Sequence, residues 1–170
     1  MADLTIFVDA TVFLGMHHRE ASLRSDSLWF FCRQYAGTVR MNYEQVGICD
    51  AVIWNESRAV QDLYYPFMDR LHTDMAIIRG GYTFREIATT VNDPRLRHLR
   101  PEQALLAAQV LSSEALLATH DPDLQSLPCL AAHLWEFDTE QPLLLFPPEL
   151  QALYETSKVF IYEAQQGARA

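Results

Sequence analysis

The chain has 170 residues, of which 49% are hydrophobic and 21% charged, and its formal net charge is -9. This length fits one domain with a substantial core, and the composition excludes an intrinsically disordered chain. The acidic balance argues against extensive coating of long nucleic acid, although Arg40, Arg85, Arg95, Arg97 and Arg100 could still form a small basic patch.

Cysteine spacing and the lengths of the apolar runs indicate in which cellular compartment the protein is expected. Cys32, Cys49 and Cys129 show no paired spacing, so neither a disulfide framework nor a zinc knuckle is indicated. No apolar stretch approaches membrane-spanning length, and the first residues lack the basic region and long apolar core of a secretory signal. We therefore expect a cytoplasmic protein with no membrane partner.

The first half of the chain alternates strand and helix signals. An apolar run at 4–8 predicts a buried parallel strand, and a helical pattern that ends near Gly37 follows it. A strand at 38–41 leads into a helix with Val46, Cys49 and Ile53 on one face. A more polar helix over 56–71 then precedes a third strand at 75–78, which the pair Gly80-Gly81 ends.

The second half continues this alternation. A short helix is predicted over 83–91, and an apolar helix over 102–111 follows Pro101. A fourth strand is predicted at 115–118 and a fifth near 132–137. Strands separated by helices predict an α/β fold, specifically a three-layer α/β/α sandwich with a mainly parallel central sheet of four or five strands.

A C-terminal extension, residues 139–170, is predicted to follow a domain that covers residues 1–138. Pro148 opens its helix, and Leu150, Leu153, Tyr154 and Ile161 form an imperfect apolar stripe. We expect this stripe to pack on the domain or at an interface, and we expect the protein to be a homodimer.

Four carboxylates stand where predicted strands end. Asp9 follows the first strand, Glu44 follows the second, and Asp121 and Asp123 follow the fourth. Ligands of open α/β sheets bind at the carboxyl ends of the strands, so these acids could meet there. Carboxylate oxygens suit Mg²⁺ or Mn²⁺, and a site for one of these ions is therefore predicted.

Three sequence segments carry a resemblance to a known family. Residues 7–11 (FVDAT), 39–46 (VRMNYEQV) and 117–124 (LATHDPDL) resemble, in this order, the motifs of PIN-domain nucleases. The resemblance runs from about residue 4 to residue 137 and implies a PIN-like fold. One position departs from the family pattern, because Gln103 stands where the helix before the last motif usually begins with Asp. A glutamine can form hydrogen bonds there but supplies no negative charge.

The resemblance implies metal-dependent phosphodiester hydrolysis, with single-stranded RNA as the substrate of an endoribonuclease. Asp9, Glu44, Asp121 and Asp123 would be the catalytic and metal-binding residues, with Mg²⁺ or Mn²⁺ as the cofactor. Three polar side chains, Thr11, Gln103 and Thr119, would orient these ligands or a water. Toxin members of the family pair with antitoxins, so an antitoxin-like protein is a further expected partner.

Other functions stay open from the sequence alone. A catalytically impaired PIN-like binding or assembly module is favoured by Gln103 and the acidic balance, and a metal-dependent hydrolase of a small phosphorylated compound is a further alternative. Each acid also has a structural explanation, because Asp9 and Asp121 could cap loops, Glu44 suits a first helical turn, and Asp123 could serve a turn.

Overall fold

The computed structural model describes residues 4–138, 140, 142 and 144–163. Strands and helices alternate along it, with 3₁₀ helices at Pro94–Leu96 and Pro128–His133. The other elements, in chain order, are β1 (Ile6–Val8), α1 (Ala10–Gly15), α2 (Ala21–Gln34), β2 (Thr38–Asn42), α3 (Tyr43–Trp54), α4 (Arg58–Asp74), β3 (Ala76–Gly80), α5 (Phe84–Asn92), α6 (Pro101–Ser112), β4 (Leu116–Ala118), α7 (Pro122–Gln125) and α8 (Pro148–Ser157).

The four described strands form one parallel sheet in the order β3-β2-β1-β4. Phe7 of β1 is in register with Arg40 of β2 and with Leu117 of β4. The chain moves from β1 outward to β2 and β3, and then returns to place β4 on the other side of β1. The strand order therefore reverses between β1 and β4, and open α/β sheets bind their ligands at the carboxyl ends of the strands beside such a reversal.

Side chains that alternate along the strands enter two separate apolar clusters. Val8, Val39 and Met41 join one cluster, together with residues of α1, α2, α3, α4 and α8. Phe7 and Leu117 join the other cluster, which contains much of α6. Helices therefore pack on both faces of the sheet, and the predicted α/β fold with three layers is confirmed.

The predicted fifth strand at 132–137 is wrong. Residues as far as His133 form a 3₁₀ helix, and only Leu134 makes an isolated parallel bridge, to Leu117. Pro128 favours the first helical turn, and the His133 ring contacts the carbonyl oxygen of Ala115 at 2.9 Å. The apolar residues of this segment therefore pack beside β4 without extending the sheet.

The helix of the C-terminal extension, α8, packs against α4 of the same chain. Leu150 and Tyr154 are buried in the cluster of α4, and the Tyr154 hydroxyl donates a hydrogen bond of 2.7 Å to the carbonyl oxygen of Met16. The predicted stripe therefore lies on the domain, except for Ile161, which is exposed. Residues 139, 141, 143 and 164–170 of the extension lie outside the described residues.

None of the described helices is both long enough and apolar enough to cross a membrane.

Candidate carboxylate site

Asp9 lies at the end of β1 and caps the N-terminus of α1. Its Oδ1 accepts hydrogen bonds from the backbone N–H groups of Thr11 and Val12 and from the Thr11 hydroxyl, at 3.0, 3.2 and 2.5 Å. Its Oδ2 accepts a hydrogen bond of 2.5 Å from the Thr119 hydroxyl. Burial raises the pKa of Asp9 to about 6 against the effect of these hydrogen bonds, and the charge of Asp121 also raises it.

Two threonine hydroxyls connect β1 to the end of β4. The Thr11 hydroxyl donates to Asp9 and accepts a hydrogen bond of 2.8 Å from the backbone N–H of His120. The Thr119 hydroxyl donates to Asp9 and accepts one of 2.9 Å from the backbone N–H of Asp121. Each threonine therefore orients a carboxylate and also satisfies a backbone group.

The side-chain amide of Gln103 lies between two carboxylates. Its Nε2 donates hydrogen bonds to Asp121 Oδ2 at 2.8 Å and to Asp123 Oδ2 at 3.1 Å. Its Oε1 accepts a hydrogen bond of 2.9 Å from the backbone N–H of Arg100. Gln103 is buried in the first turn of α6, so this contact fixes the start of α6 against the loop after β4.

Arg100 adds a weak positive contact at the solvent side of Asp121. Its Nη2 lies 3.5 Å from Asp121 Oδ2, and its Nε lies 3.1 Å from Glu102 Oε1. The Arg100 side chain is largely exposed, so water screens both contacts. Glu102 thus pairs with Arg100, while Gln103 provides the side chain that reaches the carboxylates.

Glu44 contacts a tyrosine, and its neighbour Gln45 reaches the end of β1. Glu44 Oε2 accepts a hydrogen bond of 2.6 Å from the Tyr82 hydroxyl. Gln45 is buried, and its Oε1 accepts a hydrogen bond of 2.9 Å from the backbone N–H of Ala10, the residue after Asp9. Successive helical side chains differ in direction by about 100°, so only one of these two neighbours can point at β1.

Glu44 belongs to an acidic group around Tyr82. Burial raises the pKa of the Tyr82 hydroxyl, and so do its hydrogen bond to Glu44 and the charges of Glu44, Glu86 and Glu102. Tyr82 therefore stays a neutral hydrogen-bond donor. The Glu44 carboxylate is held by this donor, whereas Asp9 is held by Thr11, Val12 and Thr119.

Four buried amide side chains line the carboxyl end of the sheet. Asn42 Oδ1 caps α3 by accepting from the backbone N–H of Gln45, and Asn42 Nδ2 donates to Gln109 Oε1 at 3.1 Å. Gln109 Nε2 in turn donates to the carbonyl oxygen of Gly81 at 3.2 Å. Together with Gln103, these amides supply neutral donors and acceptors along the edge where the sequence predicted a cluster of acids.

Hydrogen bonds occupy the carboxylates that the sequence assigns to Mg²⁺ or Mn²⁺. Within residues 4–138, 140, 142 and 144–163, no group of three or more His, Cys, Asp or Glu side chains is placed to hold a metal ion. Asp9 accepts hydrogen bonds at both of its oxygens, and a glutamine amide stands between Asp121 and Asp123. Mg²⁺ requires oxygen ligands in octahedral geometry, and an amide nitrogen does not supply one.

Sequence reasoning missed Gln45, although a signal for it was present. Asn42 and Gln45 are spaced like the N-cap residue and the third residue of a helix. The side chain of that third residue often turns back towards the chain before the helix. The same spacing joins Arg100 to Gln103, and both glutamines are buried at the first turn of a helix.

The fold and the site define a parallel α/β sandwich with a cluster of carboxylates and amides at the carboxyl end of its strands. Residues 1–167 match a family of unknown function, DUF6190, and the chain belongs to that family. No curated protein and no solved structure matches the sequence.

Proposed function

We propose that the protein is a PIN-like binding or assembly module that does not hydrolyse phosphodiesters. The observation that carries this proposal is the Gln103 amide, which donates to both Asp121 and Asp123. A neutral donor thus occupies the place where a hydrolytic site of this type would need a cation or an additional acid.

The hydrogen bonds of Gln103 would oppose the binding of a cation. An ion that used both Asp121 and Asp123 would have to displace the amide, which would lose two bonds to carboxylates and one from Arg100. The bond to Asp121 contributes about 1.5 to 3 kcal/mol and the bond from the Arg100 backbone about 0.5 to 1.5 kcal/mol, while the bond to exposed Asp123 adds little, so the displacement costs on the order of 2 to 5 kcal/mol. The remaining acids would have to offset this cost.

Isothermal titration calorimetry with Mn²⁺ tests the proposal on the full chain. We expect no saturable binding to the wild type up to millimolar Mn²⁺, the weak end of protein affinities for divalent cations. A fluorescent single-stranded RNA should remain intact in the same buffer. Mn²⁺-dependent cleavage that disappears in Asp9→Asn would refute the proposal.

The substitution Gln103→Asp is the informative counterpart of this measurement. It replaces the amide by a carboxylate beside Asp121 and Asp123, and we expect it to give the protein measurable Mn²⁺ affinity. The matched control is Gln125→Asp, because Gln125 also contacts the loop after β4, through the carbonyl oxygen of Thr119, but does not contact the carboxylates. Equal Mn²⁺ binding by both variants would show that Gln103 has no special role.

A second candidate function is metal-dependent phosphodiester hydrolysis, as an endoribonuclease on single-stranded RNA. The observation in its favour is that the charge of Asp121 raises the pKa of Asp9, because two carboxylates then lie close enough to repel each other. Asp9, Asp121 and Asp123 would hold Mg²⁺ or Mn²⁺ after the Gln103 side chain had turned away. Cleavage of a nucleotide but not of the RNA would instead indicate a hydrolase of small phosphorylated compounds.

A further inference from the structure

Helix α5 presents its apolar side chains to solvent. Phe84, Ile87 and Val91 are 86%, 45% and 70% exposed, and their spacing of three and four residues places them in one stripe. The buried side chain of α5 is instead a carboxylate, that of Glu86. A surface helix normally has the opposite arrangement, with its apolar stripe towards the core.

Polar contacts explain how α5 is held with this orientation. The Glu86 carboxylate accepts a hydrogen bond of 2.7 Å from the backbone N–H of Thr83, and the Thr83 hydroxyl accepts one from the backbone N–H of Glu86. On the same side of α5, the Thr90 hydroxyl lies 3.5 Å from the carbonyl oxygen of Ala104 in α6. The inner side of α5 therefore relies on polar bonds, and the described residues leave most of its apolar stripe exposed.

The adjacent half of the sheet is also uncovered on this side. Phe7, Arg40 and Ile78 are in register across β1, β2 and β3, so their side chains point to the same face. Phe7 is buried with α6, whereas Arg40 and Ile78 are exposed. Parallel sheets are normally covered on both faces, and only residues 81–83 separate β3 from α5. The apolar stripe and the uncovered strands therefore belong to neighbouring parts of one surface.

We infer that this surface is the interface of a homodimer in which α5 packs against α5 of a second copy, antiparallel and about a two-fold axis. The spacing of the stripe is self-complementary in that arrangement. Phe84 would face Val91 of the second copy, and Ile87 would lie near the axis, facing its own counterpart. A two-fold interface requires this kind of pairing, in which each residue meets its partner twice.

Charge supports the antiparallel arrangement. Arg85 is exposed near the N-terminus of α5 and forms no salt bridge with any of the residues that the structure describes. Antiparallel packing would place it near the C-terminus of the other α5, where the helix dipole is negative. The exposed residues of α5 include no acid, so the helices can approach even though each chain has a net charge of -9.

The size of the surface suits an interface in which α5 forms the centre. A stable dimer buries about 800 Å² per partner, from roughly 20 to 30 residues, which exceeds what a nine-residue helix provides. Tyr43 and Ile78 are further exposed apolar side chains, Ile78 in β3 and Tyr43 next to Gly81, the residue after β3. The expected interface therefore extends from α5 over the ends of β2 and β3.

Light scattering on the full chain tests the inference, and it is independent of the state of the carboxylate site. We expect twice the chain mass of 19.5 kDa at about micromolar concentration, the range of a moderately tight complex. Ile87→Glu should give a monomer, because it places two carboxylates against each other at the axis. Phe84→Ser should weaken the dimer at least about tenfold, and it should fold normally because this side chain is almost fully exposed.

Trp54→Ser is the matched control, since Trp54 is 72% exposed on α3, outside this surface. It should leave the dimer intact, and circular dichroism should show native helix content for every variant. A monomeric wild type at about 100 µM, well above the expected Kd, would overturn the inference. A dimer that survives both Ile87→Glu and Phe84→Ser, or one that Trp54→Ser dissociates, would also overturn it.

Discussion

Replacing Asp9 by Asn is expected to remove a pH-dependent loss of stability. Burial raises the pKa of Asp9 from 3.8 to about 6 in the folded chain. Between these values the folded state holds a proton on Asp9 that the unfolded state has lost, so stability falls as pH rises from about 4 to about 6. Two pKa units correspond to about 3 kcal/mol, which is an order-of-magnitude figure for this fully buried group.

The assay is urea unfolding of the wild type and of Asp9→Asn between about pH 4 and pH 7, with circular dichroism as the signal that monitors unfolding. Subtracting the two unfolding free energies at each pH removes the contribution of every titrating group that the two proteins share. We expect Asp9→Asn to gain up to about 3 kcal/mol relative to the wild type across this interval, because asparagine cannot ionise. The exposed control Asp69→Asn should show no such change, and a difference curve that is flat or slopes the other way would refute the reasoning.

Three further substitutions test the contacts around the site and the core. Thr119→Val removes the hydroxyl that joins Asp9 to the backbone N–H of Asp121, and it should lower the unfolding free energy by about 1 to 3 kcal/mol. Gln45→Leu leaves the buried N–H of Ala10 without its acceptor, and urea titration should show a loss of similar size, whereas an unchanged midpoint would contradict this role. Leu150→Ala creates a cavity between α8 and α4 and should cost about 2 to 5 kcal/mol in the same assay; a change below about 1 kcal/mol would mean that α8 is not part of the core.

The sequence predicts the sheet well because the strands are buried on at least part of both faces. Short apolar runs such as Ile6–Val8 and Leu116–Ala118 have few alternatives to a central parallel strand. The segment 132–137 is also rich in apolar residues, with Leu134, Trp135 and Phe137, yet it forms no strand. Its conformation follows from Pro128 and from packing beside a β4 of only three residues, and a local pattern does not reveal such tertiary contacts.

The site is only partly predictable for a geometric reason. Asp9 and Asp121 come together because parallel strands β1 and β4 are neighbours, and their adjacent threonines follow with them. The choice between Glu44 and Gln45 depends on where α3 begins, since one residue changes the side-chain direction by about 100°. Asn42 caps α3 and thereby directs Gln45 towards β1.

The exposed stripe of α5 shows a different limit of sequence analysis. Phe84, Ile87 and Val91 have the spacing of an ordinary core-facing helix, and the sequence does not say which side of the helix meets the domain. The buried Glu86 decides the question, because its carboxylate faces Gln109 of α6, whose Nε2 lies 3.5 Å from Glu86 Oε2.

Calorimetric titration of Mn²⁺ into the wild-type chain tests most directly the proposal that the Gln103 amide occupies the place of a cation beside Asp121 and Asp123. We expect no saturable heat up to millimolar Mn²⁺, the weak end of the range for protein sites. Stoichiometric binding by the wild type that Asp9→Asn abolishes would contradict it.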